Sequence, residues 1–202
     1  MDTRRRESLS KFLSLILRHK PERFSIVLDE GGYALIENIV EAGREKFDDL
    51  AHDEILAIAN GPEKRRFEIK DDQIRARYGH SFPIELGLPP TDPPEYLYYA
   101  TVPARASTIT DNGLHPSDRQ YVHLSLTEET ATQVARNQTD TPVVFRIRAQ
   151  EAQKADIDFY DRNPVILTTG VPTGFIDLLK ETEAPLPNAL YGRGKRKAPR
   201  RR

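Results

Sequence analysis

The N-terminal stretch around which this chain is organised reads SLSKFLSLILRHKP, residues 8–21. Its apolar side chains recur at helical spacing: Leu9, Phe12, Leu13, Ile16 and Leu17. Because Pro21 prevents the helix from continuing, Arg18, His19 and Lys20 are predicted to lie at its C-terminal end. The helix dipole favours cations there, and taken alone the pattern favours an ordinary capped surface helix.

Composition narrows the class of protein. The 202 residues suffice for one or two small domains with real cores. The chain has no cysteine, and its five histidines show no His-x-x-x-His pair, so we predict neither a disulfide nor a metal site. No apolar run suits a membrane span or a signal peptide. We expect a cytoplasmic protein that acts as a monomer and has no membrane partner.

Charge is distributed unevenly along the chain. Residues 193–202 contain seven lysines and arginines and no acid. Since the whole chain has a net charge of −1, the other 192 residues sum to −8. A basic tail on an acidic body suggests a polyanionic partner, although a disordered solubilising terminus is nearly as good an interpretation.

The first half of the chain predicts three helices and a hairpin. After the first helix we expect an extended segment at 24–28, a short strand at 33–35, and helices that begin near Ile36 and Asp53. Two alternating runs then flank Asp71-Asp72, which predicts a β-hairpin. Three helices followed by a hairpin is the order of a winged helix, a module that commonly binds nucleic acid.

The hairpin places basic side chains opposite one another. A two-residue turn at Asp71-Asp72 sets Glu68 against Arg75 and Arg66 against Arg77. Two facing arginines are destabilising by about 0.2–1 kcal/mol unless an anion lies near them. Both could instead extend into water at little cost, whereas a phosphate would be gripped bidentately by the guanidinium groups.

A proline-rich stretch separates the two halves. We predict an N-terminal lobe at 1–84, a linker at 85–94, a C-terminal lobe at 95–184 and the basic tail at 185–202. The second half shows mostly short strands with few helices, which suits an α+β fold rather than a doubly wound sheet. The predicted strands are 96–101, 120–124, 143–147 and 165–168. The predicted helices are 104–111 and one that starts at Ser125 or Thr127 and runs to about Arg136.

Several separated strings together resemble the NAD-dependent RNA 2′-phosphotransferases. The strings are LSKFLSxxLRHKP (9–21), LDExG (28–32), RFE (66–68), IRARYGHS (74–81), GL (113–114) and RQxVHLS (119–125). Their joint occurrence in order is far more specific than any single string, and the resemblance covers residues 8–180. It implies an N-terminal winged-helix lobe joined to a C-terminal ADP-ribosyltransferase-like lobe.

The resemblance also implies a set of site residues. The family's Arg-His-Arg-Arg set falls on Arg18, His19, Arg66 and Arg119. These side chains would share one RNA 2′-phosphate, while Arg75, Arg77 and Lys20 are candidates for phosphates of the RNA backbone. NAD, as co-substrate and without a metal, is expected against the C-terminal lobe at Tyr99, Thr101, Gly113, Leu114, His123, Ser125, Asn163 and Val165.

Two strings depart from the family pattern. The chain has Tyr99-Ala100-Thr101 where the family usually reads His-Gly-Thr, and Asn163-Pro164-Val165 where it often reads Asn-Gly-Val. Tyrosine can still donate a hydrogen bond to a ribose hydroxyl, but it cannot become cationic near neutral pH. Without the resemblance, His123 would be interpreted as an ordinary, partly buried strand histidine.

The implied activity removes an internal RNA 2′-phosphate, such as the splice-junction phosphate of tRNA, by transfer to NAD. Two steps would give 2′-OH RNA, ADP-ribose 1″,2″-cyclic phosphate and nicotinamide. Two alternatives stay open at this point. One is an ADP-ribosyltransferase that modifies nucleic-acid phosphates and stops after the first step, and the other is a non-catalytic winged-helix RNA-binding protein.

Overall fold

The computed structural model describes residues 1–61, 66–85, 87 and 89–181, so the predicted basic tail lies outside the described residues. Its N-terminal lobe consists of three helices and three strands. These are α1 (Thr3–Arg18), β1 (Tyr33–Leu35), α2 (Ile36–Gly43), α3 (His52–Asn60), β2 (Phe67–Lys70) and β3 (Gln73–Ala76). The strands form an antiparallel sheet in the order β1-β3-β2.

Helix α1 begins earlier than its apolar pattern predicts. The Asp2 carboxylate accepts a hydrogen bond from the backbone N–H of Arg5 at 2.8 Å, and this N-cap lets the helix begin at Thr3. The apolar stripe is fully buried at the centre of the lobe's core. The helix ends at Arg18 with His19 as its C-cap, so the predicted basic residues do lie at its C-terminal end.

The hairpin has the predicted register. Glu68 faces Arg75, and the backbone N–H of Arg77 donates to the Arg66 carbonyl at 3.0 Å. On its other side β3 pairs with β1, which puts Tyr33 opposite Arg75. Sequence analysis predicted strand β1 but not this pairing, because nothing local in the sequence specifies a partner 42 positions away.

The extended segment predicted at 24–28 is wrong at its first two residues, Phe24 and Ser25. Residues Pro21–Phe24 form a single 3-10 turn, since the proline ring fixes φ in the helical range. Ser25 then adopts a left-handed φ of +54°, which redirects the chain. Phe24 meets Phe12 of α1 edge to face with ring centroids 5.3 Å apart, so its side chain packs on the helix.

The C-terminal lobe is built on a six-stranded antiparallel sheet. Its strands are β4 (Tyr96–Thr101), β5 (Val122–Ser125), β6 (Val143–Arg148), β7 (Tyr160–Arg162), β8 (Val165–Thr168) and β9 (Ile176–Glu181), and its helices are α4 (Pro103–Asn112), α5 (Glu128–Ala135) and α6 (Ala149–Lys154). The strand order is β7-β8-β5-β4-β6-β9. Sequence analysis missed β7, β9 and α6. A mixed fold of helices and antiparallel sheets is confirmed.

A small apolar cluster and three hydrogen bonds join the lobes, and we call this region the lobe junction. Ile84 packs against Leu167 of β8. The Gln120 side chain donates to the Ile84 carbonyl at 2.9 Å and accepts from its N–H at 3.2 Å. The backbone N–H of Gln120 donates to the His80 carbonyl at 2.9 Å. The segment after β3 is thereby held against the loop before β5.

Gly43, the last residue of α2, tests the packing of the N-terminal core. A Cβ added there would lie 2.4 Å from Leu50 Cδ2 and 3.1 Å from Phe12 Cε1. Gly43→Ala should therefore lower the free energy of unfolding, measured with urea, by about 1–3 kcal/mol. The gain in helix propensity, at most about 1 kcal/mol, offsets only part of this cost.

The matched control is Gly174→Ala, because nothing lies within 4 Å of a Cβ added at that position. Its unfolding midpoint should stay near that of the wild type. Equal stability of the Gly43 and Gly174 variants would contradict the described packing.

Candidate active site

Arg18 ends α1 in a half-buried position between aromatic rings and a glycine. Its guanidinium carbon lies 4.9 Å from the Tyr78 ring centroid and 5.8 Å from the Phe67 ring centroid, within cation–π distance. Gly79 borders the other side, where an added Cβ would come within 3.3 Å of Arg18 Nη1. Among the described residues, Arg18 Nε has no hydrogen-bond partner.

Other cations surround this guanidinium. Burial lowers the pKa of Arg18 to about 10, the nearby Tyr78 hydroxyl opposes the shift, and the charges of Arg66 and Arg119 lower the pKa further. Arg18 is still charged at neutral pH. An anion bound here would relieve both the desolvation and the repulsion, so the cluster favours an anionic ligand.

His19 follows Arg18 directly and points to the same region. Its Nδ1 lies 3.2 Å from the Ser81 hydroxyl oxygen. Partial burial lowers the pKa of His19, and the positive charges of Arg18 and Arg119 lower it further. A bound anion would reverse this effect and favour the imidazolium form.

Arg119 reaches the cluster from the C-terminal lobe. It is exposed and lies in the loop just before β5. Its charge lowers the pKa of Arg18, His19 and His123, which places it within electrostatic range of all three. The two lobes therefore contribute cations to one region, as the resemblance implies.

Arg66 contributes from the turn that leads into β2. Its carbonyl accepts a hydrogen bond from Arg18 Nη2 at 3.5 Å, and its own Nη1 lies 3.5 Å from Ser10 Oγ. The side chain therefore extends along α1 towards Ser10, while its charge still acts on Arg18. All four residues of the predicted Arg-His-Arg-Arg set are thus brought together.

A cavity of about 500 Å³ opens beside Arg119 in the C-terminal lobe. Three of the residues predicted to contact NAD line it: Tyr99, Thr101 and His123. A second hollow, of about 190 Å³, is also lined by Arg119 and reaches Ser81. Arg119 therefore borders both hollows and lies within electrostatic range of Arg18 and His19.

His123 lines the larger cavity as a half-buried side chain. Burial lowers its pKa to about 4, and the charge of Arg119 adds to the shift, whereas a backbone contact from Tyr121 opposes it. The ring is therefore neutral at physiological pH. Its Nε2 is buried without a hydrogen-bond partner among the described residues, and its ring meets Tyr78 edge to face, with centroids 6.0 Å apart.

The other residues predicted to contact NAD do not line this cavity. Gly113 and Leu114 follow α4, and Leu114 is buried in a β-bridge with Val171. Asn163 precedes β8 and is joined to Pro164 by a cis peptide bond. Ser125 faces Val165 across β5 and β8, at the end of β5 farther from Arg119.

The three residues predicted to contact the RNA backbone have different surroundings. Arg75 donates to the Glu68 carboxylate at 2.9 Å and to the Gly31 carbonyl at 3.2 Å, and its guanidinium carbon lies 4.5 Å from the Tyr33 ring centroid. Through these contacts the Arg75 side chain links β3 to β2 and to the residues at the start of β1. By contrast, Lys20 is exposed directly after His19, and Arg77 is half-buried.

Sequence reasoning did not assign a role to Tyr78 or to Ser81, although both lie inside the string at 74–81. Tyr78 contacts Arg18 from one lobe and His123 from the other. The Ser81 hydroxyl donates to the Arg18 carbonyl at 3.1 Å and lies beside His19. The sequence feature that could have indicated a role for them is their position directly after a hairpin that carries arginines.

Two kinds of feature are absent from the part of the chain that the structure describes. No group of three or more His, Cys, Asp or Glu side chains there could hold a metal ion. None of the helices in those ranges combines the length and the apolarity needed to cross a membrane.

Comparison with known proteins gives consistent matches over most of the chain. The model of the "RNA 2′-phosphotransferase, Tpt1 / KptA family" matches residues 4–170. A probable RNA 2′-phosphotransferase of Methanosarcina barkeri is 33% identical over 182 residues, which is 90% of this chain and 87% of the relative. The probable RNA 2′-phosphotransferase of Acaryochloris marina is 38% identical, over 84% of this chain and 94% of the relative. That of Streptomyces griseus is 36% identical, over 87% of this chain and 98% of the relative.

Gly79 tests whether the position of Arg18 matters for anion binding. The glycine has φ of +91°, and an added Cβ would press on the Arg18 guanidinium. Gly79→Ala should lower the free energy of unfolding by about 1–2 kcal/mol through backbone strain. It should also weaken sulfate binding, measured by calorimetry, by about tenfold or more, since hydrogen bonds to charged groups contribute about 1.5–3 kcal/mol.

Gly87→Ala is the matched control, because Gly87 also has a positive φ, of +62°, but nothing lies within 4 Å of an added Cβ. This variant should lose stability and keep its affinity for sulfate. If both variants bind sulfate as tightly as the wild type, anion binding by Arg18 does not depend on the absence of a side chain at Gly79.

Proposed function

The chain belongs to the RNA 2′-phosphotransferase family, Tpt1/KptA, and from this membership we propose that it transfers an internal RNA 2′-phosphate to NAD. The products would be 2′-OH RNA, ADP-ribose 1″,2″-cyclic phosphate and nicotinamide. The observation that supports the proposal best is the convergence of Arg18, His19 and Arg119 from two lobes beside one cavity.

The cationic cluster suits a phosphate group that must be held while it reacts. Guanidinium groups bind phosphate oxygens through paired, charge-assisted hydrogen bonds. Arg18 is desolvated and close to Arg66 and Arg119, so a dianionic ligand gains more here than at an isolated surface arginine. The 2′-phosphate is the group that these side chains would orient.

In the first step, an oxygen of the RNA 2′-phosphate would attack C1″ of the nicotinamide ribose. The C1″–N bond breaks and nicotinamide leaves as a neutral molecule, so no proton has to be delivered. The protein's task is then to align phosphate and C1″, an effect that can contribute about 7–11 kcal/mol of the barrier. Arg119 lines the cavity and acts electrostatically on Arg18, so it is the side chain that would set this alignment.

In the second step, the ribose O2″ would attack phosphorus and the RNA 2′ oxygen would leave. O2″ loses a proton and the RNA 2′ oxygen gains one, while negative charge accumulates on the phosphoryl oxygens. Arg18, Arg66 and Arg119 would stabilise that charge, and His19 is the titratable group beside it that can carry the proton.

The residues of the larger cavity fit NAD as co-substrate. Cofactor pockets commonly enclose about 300–1,000 Å³, and this cavity of about 500 Å³ lies in that range. The neutral ring of His123, whose Nε2 is buried, offers a hydrogen-bonding group for a ribose hydroxyl, and Tyr99 and Thr101 line the same space. For Gly113, Leu114, Ser125, Asn163 and Val165, a contact with NAD is proposed from family resemblance alone.

We further propose that the two lobes are a winged-helix unit and an ADP-ribosyltransferase-like unit. Three helices with a β1-β3-β2 sheet suit the former, and the six-stranded antiparallel sheet with a cavity suits the latter. Lys20 and Arg77 are the better candidates for phosphates of the RNA backbone, since Arg75 is engaged with Glu68. RNA would then approach along the end of α1.

Incubation with NAD and an oligoribonucleotide that carries one internal 2′-phosphate tests the proposal. Loss of the phosphate, with one NAD consumed for each RNA product, is the expected result. Accumulation of ADP-ribosylated RNA would indicate a transferase that stops after the first step. Binding without turnover would indicate an RNA-binding protein, and either result would overturn the proposal.

Replacing Arg119 tests the contribution of the C-terminal lobe. Arg119→Ala should lower kcat by about 10²–10³-fold, the cost that removal of one stabilising donor typically has. Thermal unfolding should be unchanged, because this exposed side chain precedes β5 and packs in neither core. The control is Arg44→Ala, an exposed arginine after α2, which should retain full activity. Near-normal turnover by a folded Arg119→Ala protein would exclude the assigned role.

Replacing His19 separates the two steps. If His19 serves the step that moves a proton, His19→Ala should slow the second step more than the first. The variant should then accumulate ADP-ribosylated RNA, seen by electrophoresis as a larger oligonucleotide formed with one equivalent of NAD. Loss of all NAD consumption without an intermediate would instead assign His19 to binding or to the first step.

A further inference from the structure

The ring of His19 is oriented by a residue from outside α1. As the C-cap, His19 follows the last helical residue, and its ring is exposed. Ser81 lies on the segment that leads from β3 to the lobe junction, 62 positions further along the chain. The backbone N–H of Ser81 donates to the Arg18 carbonyl at 2.9 Å, so the main chain already fixes Ser81 beside the end of α1.

The single hydrogen of the Ser81 hydroxyl determines the direction of the hydrogen bonds around it. A serine hydroxyl has one hydrogen and can also accept. The Arg18 carbonyl, 3.1 Å from Ser81 Oγ, can only accept, so the hydroxyl hydrogen points to it. Ser81 Oγ then has lone pairs for His19 Nδ1 at 3.2 Å, and that nitrogen must be the donor. In the neutral ring the proton is therefore on Nδ1.

We propose that Ser81 is a positioning residue, whose hydroxyl holds His19 as the Nδ1–H tautomer and turns Nε2 towards the phosphate. This inference rests on the proposed function for its chemical consequence and on the hydrogen-bond geometry for the tautomer. Ser81 itself does not touch the reacting atoms. It acts through His19, in the way that a second hydrogen bond orients catalytic imidazoles generally.

The consequence concerns the second step of the proposed reaction. That step removes a proton from O2″ and supplies one to the departing RNA 2′ oxygen. A histidine whose Nδ1 is occupied exposes one nitrogen, Nε2, which can accept or donate that proton according to its protonation state. If the ring were free to rotate, Nδ1 and Nε2 would share that position and the productive arrangement would be populated only part of the time.

The test compares Ser81→Ala with Ser81→Thr, which retains a hydroxyl. Ser81→Ala should fold, because the bond from the backbone of residue 81 to Arg18 does not require the side chain. It should slow RNA 2′-phosphate removal by about 10–100-fold, a fraction of the 10²–10⁴ typical of a whole acid–base group, with the KM for NAD unchanged. Ser81→Thr should restore most of the rate. Ser107→Ala, an exposed serine on α4, is the control and should match the wild type.

A second measurement does not depend on activity. In the ¹⁵N NMR spectrum of the neutral ring, His19 of the wild type should show a protonated Nδ1 and an unprotonated Nε2, and Ser81→Ala should shift it towards a mixture of tautomers. Three results would overturn the proposal: a wild-type ring protonated on Nε2, a tautomer unchanged in Ser81→Ala, or a rate unchanged in Ser81→Ala. If the wild type does not turn over 2′-phosphorylated RNA at all, the proposed function fails, and the NMR comparison decides on Ser81 by itself.

Discussion

Arg18 is kept partly out of water beside other arginines, and the organisation of the site follows from how the chain stabilises that charge. The desolvation and the repulsion both lower its pKa, to about 10. The structure compensates with the faces of Tyr78 and Phe67. Full compensation requires a negative charge, so we expect an anion to bind most strongly at the point where the protein's own charges oppose one another.

The lobe junction holds the loop of the C-terminal lobe next to the end of the hairpin. Gln120 ties the loop that carries Arg119 to residues 80 and 84, directly after the hairpin. His80 lies there almost fully buried, and burial together with the charge of Arg18 lowers its pKa to about 3. A neutral ring fills this space without adding to the positive charge of Arg18 and Arg119.

Local sequence patterns predicted much of this arrangement. The apolar stripe of α1 with Pro21 after it, and the alternation of the hairpin, are short-range signals. From them the sequence predicted a helix whose C-terminal end carries Arg18 and His19, and the pairing of Glu68 with Arg75. Sequence analysis failed where contacts between distant parts of the chain determine the surroundings of a side chain. The pairing of β1 with β3 surrounds Arg75 with partners and withdraws it from solvent.

In the site, too, sequence signals predicted some residues, and contacts between distant residues determine others. Family resemblance identified the four residues of the Arg-His-Arg-Arg set, which the structure brings together, and three of the residues that line the cavity. It did not identify Ser81, whose role depends on the distance of its hydroxyl from His19 and Arg18. A hydrogen bond between residues 62 positions apart is visible only after folding.

The central claim is that one phosphate is bound by side chains from both lobes. The most direct test is a crystal structure of the protein with a dinucleotide that carries a 2′-phosphate. The account predicts phosphate oxygens within hydrogen-bond distance of the Arg18 and Arg119 guanidinium groups and of the His19 ring. A phosphate held by one lobe alone, or bound beside Arg75, would contradict it.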